Sequence, residues 1–460
     1  MFVLFLAVLL AGACARTPGG ADEDIRQESG VFLYLSCPGK PAADLRFQLA
    51  GLRFMTRDGV WLERPLERGV DAADCAAAQV LLGELSLPPG RYQRMAWRFS
   101  AAWVAGDKKA YALALPGRDG EIELEADLTV PPDGRTAFFA EWEPDLSVAD
   151  AYLFEPRLTV RGQRMAMADV QAYVACEGSD AVVVLDRERD AVAAVIGVGR
   201  GPAGVAADPV HNRVYVANSG SCDISVIDTA AGRVISSVPN AGCSPTDLAL
   251  SADGRWLLAV NPDTDNVSVI DARVLSLVRQ IRVGRRPEAI LSDPGRGLFY
   301  VSCAEANTVA VLDPARAEPV RTLRVGQRPA GLALQGQDLY VANAGSNNLS
   351  VVETPAFTVA TTIPLPHAPR WVVPGYADRL CVTSAESDEV SLVYAPMRMA
   401  LKAVPVGQRP GRMATDTERR KLYVAREGAA EVAVVDLAAG RVRAVLPVGR
   451  KPRGVAVLGE

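Results

Sequence analysis

The sequence predicts an all-β protein, a β-sandwich followed by a seven-bladed β-propeller, and three observations carry that prediction. Short runs rich in Val, Ile, Leu and Tyr alternate at period two from about residue 30 to the end. A turn containing Gly and Pro recurs throughout the second half of the chain. Between two such turns lie four short strand-like runs, which is the content of one propeller blade.

The turn is written "VGQRP" at Val325–Pro329 and again at Val406–Pro410. Near copies start at Val198, Val283 and Val448. With its proline as a ruler, the turn falls at Pro202, Pro245, Pro287, Pro329, Pro369, Pro410 and Pro452, so the intervals are 43, 42, 42, 40, 41 and 42 residues. Self-similarity at this period marks a repeat architecture. Each unit has an apolar strand such as "LYVAN" (Leu339–Asn343), a short polar loop and an alternating strand such as "NLSVVE" (Asn348–Glu353). A third strand such as "PVRTLRVG" (Pro319–Gly326) leads into the turn, and a small-residue strand such as "AGLALQ" (Ala330–Gln335) follows it. The first unit opens at "QAYVAC" (Gln171–Cys176) without its small-residue strand, and the chain ends on one, "RGVAVLGE" (Arg453–Glu460). This offset predicts that the last strand completes the first blade. Closure would leave no open sheet edge between the ends of the ring.

The units "YVANSGSCDISVID" (Tyr215–Asp228) and "YVANAGSNNLSVVE" (Tyr340–Glu353) resemble the YVTN β-propeller repeat of bacterial and archaeal secreted and surface proteins. The resemblance covers about residues 168–460 and implies the propeller fold. It implies no single activity, because propellers host both binding proteins and enzymes.

Residues 30–165 lack the repeat and read as frequent short strands, which predicts a β-sandwich. The order "LLGELSLPPGRYQRMAWRF", "AEWEPDLSV", "FEPRLTVRG" resembles a β-sandwich domain of unknown function found in bacterial lipoproteins and surface proteins. That resemblance implies an envelope-exposed stalk or adhesion-like module. At the N-terminus, "MFVLFLAVLLAGACA" is shorter than the roughly 20 apolar residues of a membrane-spanning helix and fits a secretory signal. "LLAGAC" resembles a bacterial lipobox, which implies residues 1–13 as signal peptide, acylation of Cys14 and residues 14–29 as a tether. Ala11 stands where that motif usually has Leu, and no Lys or Arg precedes the apolar run. A signal cut elsewhere, discarding Cys14, is the alternative.

Composition excludes several functions. Net charge is −5, the pI is about 5.4 and mean hydropathy is +0.10, with no long basic run, which argues against a nucleic-acid partner. The two histidines, His211 and His367, cannot build a site of several imidazoles, and no Cys-x-x-Cys-His for a covalent haem occurs. No Ser/His/Asp arrangement is defensible, so no catalytic residue, cofactor or metal ligand is assigned. Exported cysteines tend to pair. The candidate pairs are Cys222 with Cys243, on loops expected at the same rim, and Cys37 with Cys75, alone in the first domain. Cys176, Cys303 and Cys381 read as buried apolar fillers.

A closed ring would gather the turn cations Arg200, Arg285, Arg286, Arg328, Arg409, Arg450 and Lys451 on one face. Two readings stand side by side. In one, these residues form a basic rim for a carboxylate, an anionic polymer or a partner surface. In the other, Gly and Pro make the turn, the cations are solvated, and acids of the neighbouring loops such as Glu177, Asp180, Asp265, Asp388 and Glu427 neutralise them. "NPDTDN" (Asn261–Asn266) is the best local calcium candidate, although calcium wants six to eight oxygens. The expectation is thus a monomeric, lipid-anchored envelope protein of bacteria that binds an envelope protein or an anionic ligand without catalysis. The alternative is a propeller hydrolase or lyase assisted by calcium and using Asp, Glu and Asn at the channel mouth.

Overall fold

The computed structural model describes residues 28–39, 44–105, 109–117, 119–132, 134–165, 170–384 and 386–459. Cys14, the signal and most of the tether lie outside them. The described chain is built almost entirely of antiparallel strands.

The N-terminal part has two principal sheets. One pairs Ser29–Ser36 with Val80–Leu87 on one side and, in parallel, with Arg135–Glu143 on the other, and Arg157–Gly162 closes that edge. The other contains Leu45–Thr56, Trp61–Asp71, Gly90–Ala105 and Glu121–Val130. Their facing sides share one core around Phe47, Phe54, Trp97, Phe99, Phe138 and Trp142. Phe47 meets Trp142 edge-on at 4.8 Å between ring centroids, a favoured aromatic geometry. The short helix Ala72–Ala77, capped by Asp71 on the Ala73 N–H, presents Cys75, and a disulfide joins it to Cys37 with a Cα–Cα distance of 5.3 Å.

Seven sheets follow among the described residues, numbered here in chain order, six of four strands and the sixth of five. Sheet 2 is typical, with Pro202–Asp208, Arg213–Asn218, Asp223–Asp228 and Arg233–Val238 as neighbours in that order. In sheet 1 the place beside Gln171–Cys176 is taken by the last strand, Pro452–Val457. The first strands of sheets 2 to 7 and the closing strand of sheet 1 pack side by side in an unbroken circuit. Period-two alternation sends side chains to both flanks of each sheet. Tyr215 and Ala217 enter the core against sheet 3, and Val214 and Val216 enter the core against sheet 1.

The sheet containing Ser29–Ser36 is buried on both faces. Val31, Leu33 and Leu35 point into the N-terminal core, while Phe32 and Tyr34 join Ala137 and Phe139 against sheets 1 and 7. Polar bonds border this seam. Gln163 Oε1 accepts from the Ala137 and Val195 N–H groups, both at 2.9 Å, and Ser179 donates to Glu84 at 2.8 Å.

The repeated turn joins the last strand of one sheet to the first strand of the next. Its Gly is required by space more than by φ. A Cβ on Gly326 would lie 2.5 Å from Asn343 Cγ and from Ser346 Oγ, and one on Gly199 would lie 2.5 Å from Asn218 Nδ2. The residue before the proline is left-handed at every joint: Gly201, Ser244, Arg286, Arg328, Ala368, Arg409 and Lys451. In five joints its N–H donates to a side chain placed just before the third strand of the preceding sheet. The acceptors are Asp180, Asp265, Asn307, Asn347 and Asp388, at 2.7–3.0 Å. Three of the loop acids are therefore fasteners of the joint.

The expected Cys222–Cys243 bridge is corrected here: both thiols are free. Cys222 occupies the fastener position of sheet 2 in a left-handed conformation, with Sγ 4.0 Å from its own loop's Ser219 carbonyl. Cys243 sits exposed on its joint, next to Gly242, where φ is 130°. Cys176, Cys303 and Cys381 are buried.

Candidate functional site

At the face where the joints emerge, the first strands surround a cavity of about 330 Å³. Residues just after the joint prolines shape it. Sheets 2 and 3 contribute the short side chains of Ala203 and Thr246, whereas sheet 6 contributes Arg370 and Trp371, sheet 7 contributes Arg412, and the closing strand contributes Arg453.

Arg412 forms the floor. It reaches from sheet 7 across the channel to sheet 3, where Nη1 pairs with Asp247 Oδ1 and Nη2 donates to the Thr246 carbonyl at 3.3 Å. Its guanidinium lies 4.0 Å from the Trp371 ring centroid, a cation–π stack that fixes its plane. Asp247 Oδ2 accepts from the Ile290 N–H at 3.0 Å. Burial pushes the Asp247 carboxyl above its usual range, against the opposing pull of Arg412. On the opposite wall Arg453 bonds Glu177 at 2.6 Å and Glu427 at 3.3 Å. Burial disfavours the Arg453 charge, but these two carboxylates outweigh it and hold its pKa above the ordinary value. Arg286 pairs with Glu288 at 3.5 Å.

Arg370 differs from its neighbours. Its guanidinium lies 5.6 Å from the Trp371 ring centroid and has no ion-pair partner among the described residues. The Trp371 indole N–H is buried and also lacks a hydrogen-bond partner.

The predicted rim cations are all exposed at the joints, and the structure does not bring them together as one site. Arg286 alone of them lines the cavity. Arg285 and Arg328 flank a neighbouring groove over the end of sheet 4, which shares Arg286 and Glu288 with the cavity. Arg450 faces Glu84 of the N-terminal part at 3.5 Å, and Lys451 faces Glu177 at 3.9 Å. Arg200 and Arg409 have no ion-pair partner among the described residues. The cavity arginines 370, 412 and 453 were missed by a reading centred on the turn. Their signal is the wording "PRW", "PGR" and "PRG", where the other units read "PAG", "PTD" and "PEA".

The calcium candidate does not assemble. Asn261 Nδ2 is bonded to Asn266 Oδ1 at 2.8 Å, and Asp265 Oδ1 is taken by the Arg286 N–H. Among the described residues no group of three or more His, Cys, Asp or Glu side chains is placed to hold a metal. His211 bonds Asp208 at 2.9 Å in a turn, and His367 sits left-handed in a joint.

The fold is that of a β-propeller. A family model described as a YNCE-like beta-propeller matches residues 164–296. No curated protein matches significantly. Among solved structures, a functionally unknown protein from Desulfotomaculum acetoxidans DSM 771 is similar at TM-score 0.55 and 16% identity, covering 62% of this chain and 98% of that one. Kuenenia stuttgartiensis hydrazine synthase is similar at TM-score 0.50 and 20% identity, covering 55% of this chain and 88% of that one. The dihydro-heme d1 dehydrogenase NirN in complex with DHE is similar at TM-score 0.50 and 20% identity, covering 62% of this chain and 65% of that one. At such identities the likeness shows the fold alone.

Proposed function

We propose that this protein is a non-catalytic binding protein of the bacterial cell envelope. In this reading residues 168–460 form one closed propeller of seven YVTN-type blades, and residues 30–165 form a β-sandwich that carries it. Residues 1–13 direct export, Cys14 bears the lipid anchor, and the tether 14–29 holds the folded part at the membrane. The ligand or partner engages the joint face, over the channel mouth.

The charge pattern of the mouth carries this reading. Glu177, Glu427, Asp247 and Glu288 each face a guanidinium, so these carboxylates do not converge on a common point as metal-assisted hydrolysis requires. Two lining residues, Arg370 and Asp263, have no ion-pair partner among the described residues.

Capture from native envelope tests the reading, with the wild type and a variant carrying Arg286→Glu, Arg328→Glu and Arg409→Glu as baits. A partner held by the wild type and lost by the variant supports it. Equal capture by both removes the joint face from the interaction. Mass spectrometry of the mature N-terminus tests the anchor: an unmodified terminus after Cys14 rules it out.

A further inference from the structure

We propose that two copies of this protein pair edge to edge through Thr358–Pro364, the outer strand of sheet 5, to form an antiparallel dimer. This surface lies on the perimeter of the circuit, and the proposal does not depend on the channel mouth. It departs from the monomer expected from the sequence.

An exposed strand edge presents a row of N–H and C=O groups and recruits another chain unless it is covered, charged or broken. Six of the seven sheets meet one of these conditions. In sheet 1 the outer strand, Ala191–Gly197, is uncharged but covered: Gln79 Oε1 accepts from the Val192 N–H and Gln163 Oε1 from the Val195 N–H, both at 2.9 Å. The outer strands of sheets 2, 3, 4 and 7 are charged, by Arg233, by Arg279 and Arg282, by Arg321 and Arg324, and by Arg441 and Arg443. In sheet 6 the outer strand is broken into Met399–Ala400 and Val404–Pro405. Sheet 5 meets none of them. Its outer strand reads "TVATTIP", and every residue except Thr361 and Ile363 is exposed. Its backbone bonds to Asn348–Glu353 and to nothing else among the described residues. Pro364 removes a donor only at the last position. The bulge at Val351/Val352 does not set this edge apart, because sheets 1, 2, 3 and 7 bulge at the same place.

The composition of the strand selects a second copy of itself. Five of the six residues Thr358–Ile363 are β-branched, the type that pairs well across strands. Any antiparallel register against its own copy sets only Thr, Val, Ala, Ile and Pro opposite one another, so no charge is desolvated and none meets its like. Full overlap in sheet 4 would instead set Arg321 against Arg324, and in sheet 3 Arg279 against its own copy. Apolar surface flanks the edge. Val359 is 41% exposed, and Met399 and Met397 of the adjoining sheet 6 are 49% and 71% exposed. Methionine adapts to irregular surfaces, so these side chains can close over an added strand. Antiparallel self-pairing is two-fold symmetric, so it buries both edges and stops at two copies. A contact made of one strand and its flank belongs with the small interfaces, so the dimer should be weak and depend on concentration.

The test is sedimentation velocity of the full chain from low micromolar to several hundred micromolar. The wild type should pass from monomer to dimer as concentration rises, and hydrogen exchange at the Thr358–Ile363 amides should slow over the same range. Thr362→Arg gives this edge the charge that other edges carry and sets it near its own copy, and should raise the dimer dissociation constant at least about tenfold. Ala360→Lys, at a second exposed position of the strand, should act likewise. Ser276→Arg, exposed on the outer strand of sheet 3, should dimerise as the wild type does. An unchanged melting temperature of the dilute Thr362→Arg protein shows that its loss of dimer is not unfolding. The proposal is overturned if the wild type stays monomeric throughout, if Thr362→Arg and Ala360→Lys dimerise like the wild type, or if Ser276→Arg alone loses the dimer. A monomeric wild type whose envelope capture is lost in Thr362→Arg would give the edge to a strand of another protein and overturn pairing between copies.

Discussion

Removing the Asp416 carboxylate should open the ring at its closing seam. Asp416 ends the first strand of sheet 7, and its side chain is fully buried. It pairs at 3.0 Å with Arg187 of sheet 1, whose side chain is 4% exposed. Beside this pair, Lys421 of sheet 7 bonds Asp190 and the Arg187 carbonyl of sheet 1, each at 2.6 Å. In Asp416→Ala the buried Arg187 loses its counter-ion, and breaking one partner of a buried pair costs about 3–5 kcal/mol. At about 2–4 °C per kcal/mol for a unit of this size, the melting temperature should fall by roughly 6–20 °C. Replacing both partners with apolar residues, Arg187→Met with Asp416→Leu, should recover most of that loss, because the pair itself contributes little net stability. Scanning calorimetry reads all three proteins. The control is Asp313→Ala, which removes an exposed pair with Arg316 and should cost under about 1 kcal/mol. If Asp416→Ala melts no lower than Asp313→Ala, the seam is not held by this network and the argument fails.

Three further outcomes follow from the same structure. Gly326→Ala should destabilise by about 1–3 kcal/mol, since its Cβ would lie 2.5 Å from Asn343 and Ser346 atoms. Gly162→Ala, which meets nothing within 4 Å, should be far milder, and denaturant melts compare them. Asn307→Ala removes the acceptor of the Arg328 N–H and should cost about 1 kcal/mol by the same measurement. Iodoacetamide at pH 8 should label Cys222 and Cys243 in the folded protein, while Cys176, Cys303 and Cys381 resist until unfolding. Burial pushes those three thiols up to about 12, 11 and 12, so almost no thiolate exists at that pH. Rapid labelling of Cys303 in the native state would contradict this.

Much of the architecture was legible because it is periodic. A strand alternates at period two and a joint needs Gly and Pro, so each unit repeats the same chemistry at the same spacing. The two-sided burial of Ser29–Ser36 was written less openly. "VFLYL" is apolar at every position rather than at alternate ones, which marks a sheet covered on both faces, here by the second N-terminal sheet and by sheets 1 and 7. The fasteners were misread for a different reason. Asp180, Asp265 and Asp388 look like counter-charges to the turn arginines, but each spends an oxygen on a backbone N–H 21 residues on. Asn307 and Asn347 do the same work without charge, so the position selects an acceptor and not an anion. Cys222 looked like half of a disulfide because the repeat hid that it stands at this same position.

The mouth was hidden by the regularity that revealed the fold. What every unit shares is structural, whereas the site lies in what single units do differently. The residue after the joint proline is Ala203 or Ala330 where only packing is asked of it, and Arg370 or Arg453 where charge is placed on the channel. Arg453 also belongs to the strand that closes the ring, and it grips Glu177 of sheet 1 and Glu427 of sheet 7 at once. Below it, the same seam is crossed by Arg187–Asp416 and Lys421–Asp190, and Phe32 and Tyr34 of the N-terminal sheet cover sheets 1 and 7. The pairing of the closing strand with Gln171–Cys176, which only non-covalent contacts hold, is thus braced by contacts from both sheets 1 and 7. A ring that opened there would separate Glu177 from Glu427 and pull Arg453 from the cavity wall. Bracing at the seam thus fixes the geometry of the mouth, and a loosened seam should be read out as weakened binding before it is read out as unfolding.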